Sequence, residues 1–281
     1  MAVPHTVHTI WIQDPSSNRT FGIGEWLSIL SLLKNTDYRV LLHTNLAPGQ
    51  SEYDPYRISH DRFLINQCDF NLTWNGVRMR AANLSDIERI RILYENGGIY
   101  ADLDIWWKQP VELPTSHTLI TAYENPSYKT VANAFIVARE IGSSVLQEIL
   151  RQMESRFINL RNRGITDLTA NPAEGLSPHH TLLWKLTGDI FKQNGANILG
   201  KAPFYKNGWR RIGRELRRIG VEFKPSVVPS QLGNTADHVT LDGISGFHYY
   251  AALFTPEQVL RIPIVSDTFQ PVLDWGHQWL G

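Results

Sequence analysis

Two aspartates, Asp102 and Asp104, stand two positions apart within the run Ser85–Trp107 (SDIERIRILYENGGIYADLDIWW). Side chains alternate along an extended strand, so both carboxylates would share one face with Tyr100, while Ile99, Ala101, Leu103 and Ile105 take the other. Two unpaired carboxylates beside so apolar a segment are costly unless a cation neutralises them. Oxygen ligands at a strand end suit a hard or borderline divalent ion, Mn²⁺ or Mg²⁺, that keeps positions open for substrate phosphates. The plainer alternative is a pair of solvated carboxylates at a strand end. Asp86 and Arg89 lie three apart and would project from one helical face. A carboxylate acceptor beside a guanidinium donor suits a cluster of sugar hydroxyls. As a mere surface ion pair they would contribute only about 0.3–0.5 kcal/mol.

These residues need a helix, a reversal and a strand to position them. Leu84, Ile87, Ile90, Ile92, Leu93 and Tyr94 recur at helical spacing. The helix starts either at a Ser85–Glu88 capping box or one turn earlier, near Ala81. Gly97-Gly98 stops it, because glycine accepts the positive φ of a helix end and sharp reversal. Upstream, Val3–Ile12 reads as a buried leading strand with Pro4 at its start, Glu25–Leu33 as a helix and Tyr38–His43 as a second strand. That order opens a nucleotide-binding α/β half. A loop or short helix over 44–62 leads to a strand near Arg62–Ile65. Downstream the expected elements are strands His117–Ala122 and Val131–Ala138, an amphipathic helix Ser144–Leu160, a helix Thr181–Phe191 and a strand Val221–Pro229. The last informative stretch is Ser245–Leu253.

The pattern Ser85-Asp86-x-x-Arg89, followed by Gly97-Gly98-Ile99-Tyr100-x-Asp102-x-Asp104, resembles the signature of DXD-containing sugar transferases. That group includes fungal initiating α-1,6-mannosyltransferases, bacterial capsule and lipopolysaccharide enzymes and, more distantly, the glucosylating domains of large clostridial cytotoxins. The resemblance implies a GT-A type, Rossmann-like nucleotide-sugar-binding α/β domain with added helices. It implies that Asp104 binds the metal directly, and that Asp102 contacts the ribose or sugar and a metal-bound water. Asp86 and Arg89 would hold sugar hydroxyls, with Ser85 and Tyr100 also on the donor side. The spacing Pro4, His8, Ile10, Trp11 is similar to the family's opening strand, whose tryptophan lies against the nucleotide base. Trp11 is therefore either a stacking platform or a core residue. Asn133 matches a position that frames the sugar, and a turn or edge asparagine is the alternative. His248 fits a histidine that reaches the metal or diphosphate, although Ala252 and Leu253 replace the Ser-Trp that follows it in relatives, and Gln13 replaces a glycine. Such relatives retain the anomeric configuration, the departing diphosphate accepting the acceptor's proton. An inverting enzyme would need a placed base, for which Glu124 and Glu174 are the candidates.

Composition bounds the remaining possibilities. The 281 residues suffice for one domain spanning 1–281, with a nucleotide-sugar core over about 1–140 and an acceptor-side helical part over about 141–281. Twenty-seven basic residues balance 27 acidic ones, so nucleic-acid binding driven by counterion release is not expected. Five arginines (Arg210, Arg211, Arg214, Arg217, Arg218) make a basic helix face that is either solvated or a diphosphate partner. One cysteine, Cys68, excludes an intrachain disulfide. No apolar run approaches the ~20 residues of a membrane span, the first residues lack a secretory signal's regions, and a cytoplasmic protein is expected. On that basis the N-x-Ser/Thr triplets at Asn18, Asn71 and Asn83 are chance, and most of the nine tryptophans fill the core. His179 and His180 are adjacent and point apart, which suits surface or acceptor-side roles better than one metal. No P-loop, nucleophile elbow or zinc spacing is present. The expected partners are a nucleotide sugar (UDP- or GDP-linked) and a glycan or other hydroxyl acceptor. The alternatives are a host-directed domain that glycosylates a protein and a non-catalytic sugar-binding protein of the same fold.

Overall fold

The computed structural model describes residues 5–17, 19–125, 130–169, 183–199, 204, 209–222, 238–242, 244–249, 251 and 254–278. In chain order the elements are β1 (Thr6–Trp11), α1 (Ile23–Asn35), β2 (Arg39–Thr44), a 3₁₀ turn (Pro55–Arg57), β3 (Phe63–Gln67), β4 (Thr73–Trp74), β5 (Val77–Arg78), α2 (Ala81–Asn96), β6 (Gly98–Ala101) and β7 (Ile105–Trp107). They continue with β8 (Leu119–Asn125), β9 (Thr130–Ala138), α3 (Ser144–Asn162), α4 (Leu183–Gln193), β10 (Asn197–Leu199), α5 (Trp209–Arg218), β11 (Gly246–His248), α6 (Pro256–Val259) and α7 (Pro263–His277).

Among the described residues, seven strands form one sheet in the order β10-β8-β9-β6-β1-β2-β3. β1 pairs parallel with β2 and with β6, β2 with β3, and β10 with β8, whereas β9 runs antiparallel to both its neighbours. Both faces are covered, so the strands are near-continuously apolar, as parallel sheets require. Val7, Val40, Leu42, Ile99 and Ala101 belong to one core with α1 and α7. Ile10, Tyr100 and Ile136 belong to another with α2, α3 and α4. The sheet reverses its order at β1: the chain goes outward to β2 and β3, then returns to β6 on the other side. At such a switch point the strand ends splay and leave a crevice for ligand.

Of the two expected starts for helix α2, the structure takes Ala81, so Ser85 lies inside the helix and caps nothing. Other sequence expectations change. The strand expected to run through both aspartates stops at Ala101. Asp102 N–H still donates to Ala134 O of β9 (2.9 Å), but Ile105 N–H then closes a turn onto Asp102 O (3.2 Å). The chain leaves the main sheet and β7 pairs antiparallel with β11. The consecutive tryptophans account for this departure. Trp106 packs against Tyr249 and Phe269, Trp107 against Phe135 and Phe204, and both are fully buried. The two side chains need two apolar surroundings, which an edge on one flat sheet face does not offer. Ser28 Oγ to Ile105 O (2.7 Å) and Trp107 N–H to Ser31 Oγ (2.8 Å) tie this strand to α1. The strand expected at Val221–Pro229 does not form at Val221 and Glu222, and the rest of it lies outside the described residues, as do Pro4, Asn18, Thr181 and Leu182. Trp11, Trp26, Trp106 and Trp107 are buried, whereas Trp74, Trp184 and Trp275 are half-buried.

Candidate active site

A cleft of ≈ 650 Å³ opens at the C-terminal ends of β1 and β6. Ile10, Trp11 and Ile12 form its floor, and the following loop contributes Asp14, Ser16, Ser17 and Arg19. The N-terminus of α2 supplies Arg80, Ala81 and Ala82 on the opposite wall, with Ser85 and Arg89 one and two turns along. Asp102, Leu103 and Asp104 cross between them. Because α2 and β6 are joined head to tail by Gly97-Gly98, the positive end of the α2 dipole faces the same mouth as the carboxylates.

Arg89 organises this wall. It is 5% exposed, and its Nε donates to Ser85 O (3.1 Å). Nη1 reaches Asn133 O (2.8 Å) and both oxygens of Asp102 (3.1 and 3.3 Å). Nη2 reaches Ser85 Oγ (3.2 Å) and Asp86 Oδ1 (3.2 Å). Four of these contacts are hydrogen bonds, to Ser85 O, Ser85 Oγ, Asn133 O and Asp102, and Asp86 adds an ion pair. Its Cζ also lies 4.7 Å from the Tyr100 ring centroid, and Tyr100 Oη donates to Asp102 Oδ1 (2.6 Å). Asp86 is held from the far side by Asn133 Nδ2 (2.6 Å). Burial pushes the Asp86 carboxyl up to about 6, opposed by the Arg89 charge and reinforced by Asp102. Arg89 itself is held firmly charged: burial opposes the charge, but Asp102, Tyr100 and Asp86 outweigh it.

The two carboxylates therefore differ, where the alternation of a strand would have made them equivalent. Asp102 turns inward to Arg89 and Tyr100, whereas Asp104 turns toward the C-terminal segment. Asp104 Oδ2 accepts from Ala251 N–H (3.2 Å), and its main-chain oxygen accepts from Tyr249 N–H (3.1 Å). Oδ1 lies 3.1 Å from His248 Nε2, an ion-pair contact, yet it accepts no hydrogen bond. Burial raises the Asp104 carboxyl, but His248, the Ala251 amide and Arg19 outweigh it and hold it below the usual aspartate value. The expected metal set of Asp102, Asp104 and His248 is thus split: the structure joins Asp104 to His248 and gives Asp102 to Arg89. Among the described residues no three His, Cys, Asp or Glu side chains gather as a metal cage. The residues still fit a hard cation. A buried carboxylate oxygen without a hydrogen bond stands on the cleft wall beside a second carboxylate, and phosphates and water complete such a shell in sites of this kind.

The other expected donor residues fall in two groups. Trp11, Ser85, Arg89, Asp102 and Asp104 line the cleft, whereas Asp86, Tyr100, Asn133 and His248 are not part of its lining and stand one layer behind. Trp11 is 6% exposed, set edge-on to Phe21 (5.4 Å) with Arg19 over its ring (5.1 Å). Arg19 and Arg80 are cleft residues that sequence reading missed. Gln13, noted only as a departure from the family, orders the loop that carries Arg19: it donates to Arg19 O (3.0 Å) and accepts from Trp11 Nε1 (3.3 Å). None of the five α5 arginines lines the cleft, and that helix packs inward through Ile212 and Leu216. His179, His180, Glu174, Ala252, Leu253 and the side chain of Glu124 lie outside the described residues.

Residues 30–124 match the family described as the glycosyltransferase sugar-binding region containing a DXD motif. The match covers that stretch alone. It runs from within α1 to within β8 and holds Asp86, Arg89, Asp102 and Asp104, leaving Trp11, Asn133 and His248 outside the match. Among solved structures, the chain is similar to glycosyltransferase GlyE of Streptococcus pneumoniae TIGR4, at 10% identity and a TM-score of 0.50, covering 99% of this chain and 64% of that one. It is also similar to the PaToxG glycosyltransferase, at 14% identity and a TM-score of 0.45, covering 96% and 87%. At 10% identity the likeness to GlyE is one of fold, the GT-A type of α/β architecture. No curated protein matches the chain in sequence. Among the described residues no helix is long and apolar enough to cross a membrane.

Proposed function

We propose that this chain is a metal-dependent glycosyltransferase that moves a sugar from a UDP- or GDP-sugar to a hydroxyl of a glycan or a protein, with retention of configuration. The observation that carries the reading is the pair Asp102–Asp104 at the switch-point cleft, with Asp104 Oδ1 buried and lacking a hydrogen bond. Asp104 and Asp102 would hold a divalent cation, Mn²⁺ or Mg²⁺, which as a Lewis acid would neutralise the diphosphate leaving group. The chain's own part is positioning. Arg89 and Tyr100 fix the rotamer of Asp102, and the 248–251 segment fixes Asp104, so both carboxylates are placed before donor enters. Asp86 and Asn133 support Arg89 from behind. Residues up to about 140 form the donor side, and the remainder frames the acceptor.

The stereochemical proposal is supported by the acidic groups facing the cleft. Among the described residues these are Asp14, Asp102 and Asp104. Asp14 Oδ1 caps its own loop, accepting from Ser16 N–H (2.8 Å) and Ser16 Oγ (2.6 Å). Asp102 is engaged by Arg89, and Asp104 by His248 and Ala251, which supports a mechanism without a separate carboxylate base. The test is a screen of purified protein against UDP- and GDP-sugars with Mn²⁺, followed by NMR of the product's anomeric proton. Nucleotide release with an α-linked product from an α-linked donor is expected. A β-linked product would overturn retention, and no release from any donor would overturn the transferase reading.

A further inference from the structure

Three guanidiniums line the cleft among the described residues, and they differ in what they have left to offer. Arg89 is already engaged by protein acceptors, as described above. Arg80 donates to Thr169 O (3.3 Å) on the far wall. Arg19 is built differently. Its Nη2 donates to Glu25 Oε1 (2.8 Å), and its side chain is 59% exposed while that of Glu25 is only 7% exposed. Glu25 is a firm anchor because its second oxygen accepts from Gly22 N–H (3.0 Å) at the first turn of α1. The guanidinium also rests over Trp11, whose indole is fixed by Phe21 and Gln13. One edge is tethered and one face supported, while the rest of the fork opens into the cleft. Among the described residues Glu25 is its one hydrogen-bond acceptor.

A guanidinium held in this way has little rotamer freedom left to lose and keeps parallel donors for two oxygens of one anion. The charge of the cleft calls for one. Asp14, Asp102 and Asp104 face it, Arg89 is already matched to Asp86 and Asp102, and a diphosphate adds further negative charge that a single divalent cation does not balance. Trp11, meanwhile, presents Arg19 to the cleft where a base-stacking face was expected. We infer that Arg19 is a residue of this chain that grips the diphosphate of the donor, and that Glu25 is its positioning residue. The inference rests on the nucleotide-sugar reading above.

Calorimetry with UDP and GDP in the presence of Mn²⁺, and ligand-detected NMR with uridine and guanosine, separate this role from a structural one. Arg19→Ala should raise the Kd of the diphosphate on the order of tenfold or more while leaving nucleoside binding within about twofold. Arg19→Lys should recover part of the loss, and Glu25→Gln should fall between wild type and Arg19→Ala. The side chain of Arg19 is exposed, so melting temperatures should stay near wild type in its variants. Equal losses for nucleoside and diphosphate would reassign Arg19 to covering Trp11, and unchanged diphosphate binding would remove it from the site. If the wild-type chain binds neither diphosphate nor nucleoside, the nucleotide-sugar reading itself falls.

Discussion

At the scale of single residues, Arg89 shows how far a side chain's type constrains its role and where its surroundings take over. An arginine three positions from an aspartate suggests a sugar clamp, but a clamp needs donors left to offer. Here the guanidinium is already engaged by Ser85, Asn133 and Asp102 through hydrogen bonds and by Asp86 as an ion pair. Arg89 therefore acts by holding Asp102 in place. Removing one partner from a buried ion pair leaves the other charge uncompensated, at a cost of about 3–5 kcal/mol. Arg89→Ala is accordingly expected to lose stability of that order in urea unfolding and, in the protein that remains folded, to lose free nucleotide binding along with donor binding. A variant with wild-type stability that loses only the sugar-linked donor would restore the clamp. The sequence made Asp86 and Arg89 neighbours but could not reveal this engagement. The decisive acceptors, Asn133 O in β9 and Asp102 in the turn after β6, lie 44 and 13 residues away.

At the scale of elements, the α2–β6 reversal brings this group to the cleft. Gly97 adopts φ 65° and ψ −154°, a region open essentially to glycine alone. At Gly98 (φ 96°) an added Cβ would meet His8 Nε2 at 2.9 Å and Thr6 O at 3.1 Å. His8 packs there because it belongs to a buried chain, His8 Nδ1 to His43 Nε2 (3.0 Å) and His43 Nδ1 to Asn66 Nδ2 (3.1 Å), across β1, β2 and β3. Burial lowers His8 to about 4, partly offset by the Gly97 backbone, and burial with the neighbouring His8 lowers His43 to about 4. Both rings are thus neutral in the fold and protonate more readily once unfolded. Their stabilising contribution is complete above about pH 6.5 and is lost as pH falls toward 4. Asp86, raised to about 6, changes stability in the opposite sense over part of that window, so the informative quantity is a difference between proteins. Between pH 7 and 5, wild type should lose roughly 2 kcal/mol more stability than His43→Gln. Parallel stability–pH curves would contradict this. Most elements here were legible from periodicity and glycine. The turn that separates Asp102 from Asp104 was not, since Leu103 and Ile105 continue the alternation and only the packing of Trp106 and Trp107 breaks it. Helix α7 (Pro263–His277) was also missed. Its spacing of Val265, Phe269, Val272 and Gly276 was the available signal, and an added Cβ at Gly276 would meet Leu30 and Trp26 of α1.

At the scale of the molecule, the cleft is assembled from four parts of the chain: the end of β1 with its loop, the α2–β6 unit with the turn that follows it, Thr169, and the 248–251 segment that returns to brace Asp104. The α/β class and the switch point were foreseeable from the order of elements. The return of β11 to β7 was not, because nothing local in Gly246–His248 specifies a partner strand as distant as Ile105–Trp107. That brace gives the DXD pair its asymmetry, with Asp102 internally neutralised and Asp104 left with an oxygen that accepts no hydrogen bond. The central claim is that this oxygen awaits a divalent cation carrying a nucleoside diphosphate. Calorimetric titration of UDP and GDP into wild type and Asp104→Asn, each with and without Mn²⁺, tests it most directly. Wild type should bind at least one diphosphate in a saturable, Mn²⁺-dependent manner, and a folded Asp104→Asn protein should lose the Mn²⁺-dependent part. Equal Mn²⁺-dependent binding by both proteins, or none by wild type, would contradict the account.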